Sequence, residues 1–575
     1  MRRTVLAAAV GDCVHVAGLY RFARLAEQTG FEVHFMGPAA GVERVVEAVR
    51  TRRPDVVGLS YRLTPVAGRK VLEQLRARLS AEGLTEGRLF VFGGTPPVAR
   101  EAREMGFFHR VFDGTEDDRA TAVYLRHLAE ILQSGDASRF GSLPDAAALT
   151  GAVHYPQRLV ERVQFQRPYP IIRHHFGLPD LDATVDGVAE LAESGALDVI
   201  SLATDQNCQE HFFHPEEMDP AQDGAGGAPV RSAEDYRRIY RASRRGNFPL
   251  MRAYSGTRDI LRMAELLVQT LNLAWAAVPF TWYSLLDGRS RRGIEQTIRE
   301  AQQAFAWHGE RGIPVECNES HHWSLRDAPD SVAVAMAFLA AYNARKAGVR
   351  HYVAQYMFHT PPATSPAMDL AKMLAKMELI EGLHGPDFET LRETRVGLAS
   401  HPADPQVARG HLGASVLLQM AVRPHILHVV AFCEADHAAT PAEIVESVKI
   451  ARGAVRDALA GLPDMTADPA VQARRQELLE EARVLLDAIR ALAADRVDDP
   501  WSDPRTLATA VRIGLLDAPH LRGNPQARGE VVTRIVAGAC RAVDPATERV
   551  LPEVERVRRI LDRAARAGVM GARAG

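Results

Sequence analysis

The sequence predicts an α/β protein: a flavodoxin-like, Rossmann-type parallel sheet, then a (β/α)8 TIM barrel, then a helical C-terminal region. Three observations predict it. Short apolar runs alternate with amphipathic helical stretches from residue 4 to about 135. The alternation pauses in a segment rich in Ser, Gly, Asp and Ala around Ser134 to Ala148, then resumes for eight more strand-helix pairs. After about residue 440 only helical periodicity is left, as in Arg475 to Ala493 with its Glu/Arg face.

In the first domain the expected strands are Val5 to Val10, Glu32 to Met36, Val56 to Ser60, Leu89 to Phe92 and Arg110 to Phe112, with helices such as Leu19 to Thr29 and Val42 to Arg50 between them. Alternation at this spacing gives a doubly wound sheet whose ligand lies beyond the carboxyl ends of the strands. The barrel strands are expected at Pro170 to His174, Asp198 to Leu202, Pro249 to Tyr254, Trp275 to Phe280, Pro314 to Cys317, His351 to Gln355, Thr394 to Ala399 and Ile426 to Cys433. Their span of roughly 290 residues suits a TIM barrel better than a second open sheet. The boundaries are therefore 1–135, a linker at 136–164, a barrel at 165–440 and a helical region at 441–575.

Composition narrows the partners. Lys plus Arg (69) against Asp plus Glu (72) leaves a net charge of -3, too balanced a field to grip nucleic acid or an anionic membrane. The N-terminal Arg2-Arg3 and Val5 to Val10 mimic a signal peptide, but the apolar run is short and leads into Gly11-Asp12. No apolar run is long enough to span a bilayer. The five cysteines, Cys13, Cys208, Cys317, Cys433 and Cys540, are widely spaced, which fits a reducing cytoplasm. A zinc site from Cys317, Cys433 and a histidine is conceivable, without a tight spacing motif to support it. A small-molecule substrate is the expected partner, and a homodimer is compatible with the sequence.

Three turns of the first domain carry the chemistry. Gly11-Asp12-Cys13-Val14-His15-Val16-Ala17-Gly18 follows the first strand, Ser60-Tyr61-Arg62-Leu63-Thr64-Pro65 the third, and Gly93-Gly94-Thr95 the fourth. His15 offers an imidazole at a sheet's carboxyl end, and Gly18, Gly93 and Gly94 let backbone approach a large flat ligand. Each has a bland reading as a surface or turn residue; together and in order they are specific. The set resembles the cobalamin-binding domains of B12-dependent mutases and methionine synthase, with their Asp-x-His-x-x-Gly, Ser-x-Leu and Gly-Gly motifs. The resemblance implies cobalamin contacts at Cys13, His15, Gly18, Ser60, Leu63, Thr64, Gly93, Gly94 and Gly114, with His15 as the lower ligand of cobalt. Two positions depart from the family. Cys13 stands where it has the Asp behind the histidine, and Arg62 where it has Leu. A thiol in place of that carboxylate should weaken or alter axial ligation.

The barrel resembles the catalytic chain of glutamate mutase. The resemblance rests on Pro249-Leu250-Met251-Arg252-Ala253-Tyr254-Ser255-Gly256-Thr257-Arg258-Asp259, on Gly312 to Glu319, and on Thr360-Pro361 with Ser365-Pro366. It implies adenosylcobalamin, with methylcobalamin or hydroxocobalamin as alternatives, and catalytic roles for Glu319 and Arg173; Tyr254, His321 and His359, among the polar residues gathered at the strand ends, are the further catalytic candidates. Two of the family's three substrate-clamping arginines fall on Tyr254 and near Gln209, leaving Arg173, so glutamate is not the expected substrate. Glu319 is expected to take an ammonium group or a proton. Polar residues at the strand ends, including His174, His175, His322, Gln355, His401, Glu434 and His437, are the normal makeup of a barrel mouth. The expectation is a cobalamin-dependent radical isomerase acting on a small amino or carboxylic acid. Methyltransferases of this class place a helical cap before the B12 domain, whereas here the first strand begins at residue 4. A corrinoid methyltransferase and a non-catalytic cobalamin-binding protein are the alternatives.

Overall fold

The computed structural model describes residues 3–116, 118–134, 155–493 and 495–567. The chain divides into two compact units, residues 1–154 and 155–575, each with its own apolar core.

The first unit alternates strictly: β1 (Thr4–Val10), α1 (Ala17–Gln28), β2 (Glu32–Ala40), α2 (Val42–Arg52), β3 (Val56–Tyr61), α3 (Pro65–Ala81), β4 (Leu89–Gly94), α4 (Pro96–Glu104), β5 (Arg110–Phe112) and α5 (Asp118–Ser134). The strands form one parallel sheet in the order β2-β1-β3-β4-β5. β1 and β3 are almost continuously apolar because helices cover both faces, leaving no solvated side to pattern. The order reverses between β1 and β3, and there the turns after both strands face the same crevice.

The second unit opens with α6 (Leu159–Gln166) and continues through β6 (Ile171–Phe176), α7 (Leu181–Ser194), β7 (Val199–Leu202), α8 (Gln206–His211), α9 (Ala233–Ala242), β8 (Leu250–Tyr254), α10 (Ile260–Leu271), β9 (Ala276–Ala277) and α11 (Ile294–Glu310). It goes on with β10 (Val315–Glu316), α12 (Glu319–Ser324), α13 (Asp330–Lys346), β11 (His351–Phe358), α14 (Pro366–Glu381), β12 (Glu389–Val396), α15 (Pro405–Met420), β13 (Ile426–His428) and α16 (Pro441–Ala460). β6 to β13 close into a parallel eight-stranded barrel. Its floor is apolar: Ile171, Val199, Leu250, Val353, Leu391 and Ile426 meet Leu159 and Val163 of α6. α6 is thus part of the barrel unit, not of a linker reaching residue 164; residues 135–154 lie outside the described residues.

Two expectations shift. β12 begins at Glu389, not Thr394, because its inward side chains include Glu393 and Arg395 and charges mask the strand pattern. The C-terminal region is not helical alone. α17 (Pro469–Ala491) and α18 (Pro504–Ile513) precede a hairpin of β14 (Thr533–Val536) and β15 (Ala539–Ala542), then α19 (Glu553–Arg566). Buried Asp330 of α13 clasps this region to the barrel: it faces Lys372 at 3.3 Å and Arg474 at 3.5 Å, and accepts the Cys540 N–H at 3.1 Å.

Candidate functional site

At the crevice of the first unit, apolar side chains face solvent where a soluble surface would be polar. Val14, Leu63 and Val66 are 61%, 42% and 83% exposed. Beneath them, Ser60 at the end of β3 is buried and its hydroxyl has no hydrogen-bond partner. Its register neighbour on β4 is Gly93, where an added Cβ would meet nothing within 4 Å. A stranded hydroxyl beside open space is the condition a polar ligand group would relieve. Gly94 differs, since a Cβ there would come within 2.9 Å of the Phe92 ring and 3.1 Å of the Tyr61 carbonyl, so this glycine serves packing. Gly18 lies open in the first turn of α1. Thr64 caps α3 by accepting the Ala67 N–H at 3.3 Å. Gly114, with φ +90, forms the turn after β5 and donates its N–H to Glu116 at 3.2 Å.

His15 is exposed, with no hydrogen-bond partner among the described residues. Cys13 does not stand behind it: its side chain is fully buried in the sheet's apolar core. The thiol therefore cannot orient the imidazole as a carboxylate would, and Asp12 is exposed beside it.

In the barrel, a charged layer sits above the apolar floor. Glu316 accepts hydrogen bonds from Arg173 at 3.1 Å, from Arg252 at 2.7 and 3.2 Å, from the Trp275 indole at 2.6 Å and from Gln355 at 3.3 Å. Glu393 lies 3.4 Å from Arg173 and accepts from Gln355 at 2.5 Å. Both arginines and both glutamates are completely buried. Burial alone would raise Glu316, but Arg252 and Arg173 outweigh it and hold the carboxyl below its ordinary value. Burial pushes Glu393 up, with the Glu316 charge adding to the effect. Arg173, expected as a substrate clamp, has its charge engaged by Glu316 and Glu393 inside the barrel.

The layer above forms the mouth. Tyr254 accepts the Asn318 amide at 2.8 Å and lies 5.6 Å from the Tyr283 ring, and His175 stands 4.6 Å from His428. His321 and His322 are buried side by side, ring centres 4.6 Å apart, each with one ring nitrogen unpartnered. Burial, reinforced by nearby positive charge, holds His175, His321, His322 and His428 well below the usual histidine range, so all four are neutral near pH 7.

The cation common to these shifts is Arg395, two positions after Glu393 on the inward face of β12. Its charge also bears on Glu434, which is already engaged by His174 at 2.8 Å and the Ala431 N–H at 2.7 Å. Among the described residues Arg395 has no ion-pair partner, and only its Nε is engaged, by the Val396 carbonyl at 3.3 Å. The sequence reading missed it, although strand parity from Leu391 and Glu393 points to it.

Glu319 takes the Thr281 N–H at 3.0 Å on one carboxylate oxygen and the Thr281 hydroxyl and the Trp323 indole, the latter at 2.9 Å, on the other, so it ties α12 to the loop after β9. His359 lies apart from the His321 pair, 5.0 Å from His411, which in turn is 5.5 Å from His401. Cys317 joins no metal-ligating group among the described residues, so the proposed pairing with Cys433 fails. No helix among them is long and apolar enough to cross a membrane.

A flavodoxin-like unit with an open glycine, a stranded hydroxyl and an apolar rim at its switch point belongs to the class that holds a large, partly polar cofactor. Residues 3–123 match the family model of the B12 binding domain, and cobalamin fits this site. Among solved structures, a cobalamin-binding protein from Desulfitobacterium hafniense DCB-2 is 26% identical; the match covers 23% of this chain and 58% of that one, with a TM-score of 0.19. A Rubisco-like protein from Rhodopseudomonas palustris is 12% identical over 55% of this chain and 72% of that one, TM-score 0.30. The radical S-adenosylmethionine methyltransferase TsrM from Kitasatospora setae is 14% identical over 72% and 71%, TM-score 0.19. Superpositions this loose transfer no chemistry to this chain. No curated protein sequence matches it.

Proposed function

We propose that the protein is a cobalamin-dependent enzyme, a radical isomerase of the carbon-skeleton mutase type, acting at its barrel mouth on a small amino or carboxylic acid with a single carboxylate. Ser60, Gly93 and the rim of Val14, Leu63 and Val66 would hold the cofactor, adenosylcobalamin being the favoured form. When bound, cobalamin supplies a cobalt–carbon bond that starts chemistry no side chain can perform.

The observation that carries the substrate class is Arg395, a guanidinium that stands among neutral imidazoles and has no ion-pair partner among the described residues. It would take one carboxylate in a two-pronged contact, while His175 and His321 bond the substrate's neutral polar groups. Tyr254, Tyr283 and the imidazoles wall the mouth against water. Glutamate would bring a second carboxylate, and neither Arg173 nor Arg252, both neutralised below, nor Arg289, over the Tyr283 ring and 3.4 Å from Asp287, offers it a free cation.

Electron paramagnetic resonance of the adenosylcobalamin holoenzyme with a panel of monocarboxylates tests this. A coupled cobalt(II)–organic radical signal is expected with at least one of them, and Arg395→Met should weaken that substrate's KM about 10- to 100-fold, the worth of a charged hydrogen bond. Methyl transfer without any radical would replace isomerisation with corrinoid methyltransferase activity. Efficient glutamate turnover would overturn the single-carboxylate reading.

A further inference from the structure

The loop after the last barrel strand and the first turn of α16 gather a thiol, an imidazole and a carboxylate that nothing above uses. Cys433, His437 and Glu443 each offer one ligand atom, and these atoms all lie within 4.8 Å of one another. Donors around a tetrahedral zinc ion stand about 3.3–3.8 Å apart, given metal–ligand bonds of about 2.0–2.3 Å. Closing such a site therefore needs only side-chain adjustment.

The surroundings are those of a ligand set. Asp436 accepts from Nδ1 of His437 at 2.8 Å, leaving Nε2 to face Glu443 at 2.9 Å; a carboxylate behind the imidazole is what orients metal-bound histidines. One oxygen of Glu443 is fixed by Thr440, which donates its N–H at 2.9 Å and its hydroxyl at 2.7 Å. The other oxygen is the one turned to His437. Cys433 is buried, 6% exposed, whereas the His437 side chain is 49% exposed, so the group has a dry thiol side and a side open to solvent. It lies at the end of the barrel where the loops after the strands converge.

We propose that Cys433, His437 and Glu443 bind one zinc-class divalent metal ion, with a fourth position open to water or an incoming thiol. Three mixed protein ligands with an open position are the pattern of reactive, not structural, zinc sites. Binding releases the Cys433 thiol proton to solvent. The proposal is independent of the cobalamin reading, and its test counts zinc, not cobalt.

Full-length protein stripped with a chelator and titrated with zinc chloride should take up one zinc per chain, measured by elemental analysis after desalting. Zinc-edge X-ray absorption should show a single sulfur at about 2.3 Å. Asp436→Asn should weaken zinc binding about 10- to 100-fold, and Cys433→Ser and His437→Gln should abolish stoichiometric uptake. Exposed His437 can be changed without disturbing the core, so His437→Gln with unaltered tryptophan fluorescence keeps the test valid should Cys433→Ser misfold. No uptake by the wild-type chain, a zinc shell without sulfur, or full uptake by His437→Gln would each overturn the site and leave His437 as a simple ion-pair partner of Asp436 and Glu443.

Discussion

Glu316→Gln probes the charged layer, and its cost can be worked from the contacts. The carboxylate is the ion-pair partner of Arg252 and one of two partners of Arg173, which also faces Glu393. Replacing it with an amide leaves two completely buried guanidinium groups with one carboxylate between them. Removing one partner of a buried pair typically costs about 3–5 kcal/mol, because a charge stays desolvated without compensation. Arg252→Met with Glu316→Leu removes a cation and an anion together and leaves the Arg173–Glu393 pair intact. The double variant should therefore lose less, about 2 kcal/mol, mostly from the stranded Trp275 indole. The assay is urea unfolding followed by tryptophan fluorescence: all five tryptophans, Trp275, Trp282, Trp307, Trp323 and Trp501, belong to the barrel unit, so the signal reports that unit alone. A single-variant loss below about 1 kcal/mol, or a double variant less stable than the single, would refute the claim that Arg173 and Arg252 are neutralised inside the barrel. Arg173 would then again be a candidate clamp.

Gly93→Leu should abolish cobalamin uptake without unfolding the first unit, because the new side chain enters space the protein leaves open; Gly94→Leu should damage the fold itself, so equal behaviour of the two in circular dichroism and cobalamin titration would contradict the site. Barrel stability should fall as pH drops below about 6.5. The four neutral imidazoles His175, His321, His322 and His428 have depressed folded values, so the unfolded chain binds protons first; stability is full above the unfolded value and is lost toward the folded ones. Each contributes about 1.4 kcal/mol per pH unit in that window, and a urea midpoint unchanged between pH 7.5 and 5.5 would rule this out.

The sequence by itself determined what is local or periodic. Strand-helix alternation fixes the doubly wound sheet and the eight barrel strands, because a parallel strand buried on both faces must be an apolar run bounded by turn residues. Order along the chain also placed Ser60 and Gly93 at the carboxyl ends of successive strands, which the structure pairs. What residue identity alone did not reveal is which charges are free. Arg173 and Arg395 are both arginines on barrel strands, yet one sits a layer lower, against Glu316 and Glu393, and the other ends above that layer with no ion-pair partner among the described residues. Glu319 reads as an acid or base in the sequence, and only the fold shows its oxygens accepting hydrogen bonds from Thr281, 38 residues earlier. Cys13 fills the position of a carboxylate in the linear motif, but the turn after β1 buries its side chain in the core. Charge neutralisation and burial depend on pairs distant in sequence, brought together only when the sheet closes. Hence the barrel was legible in the pattern, and which charges of its interior are paired was decided by the tertiary structure.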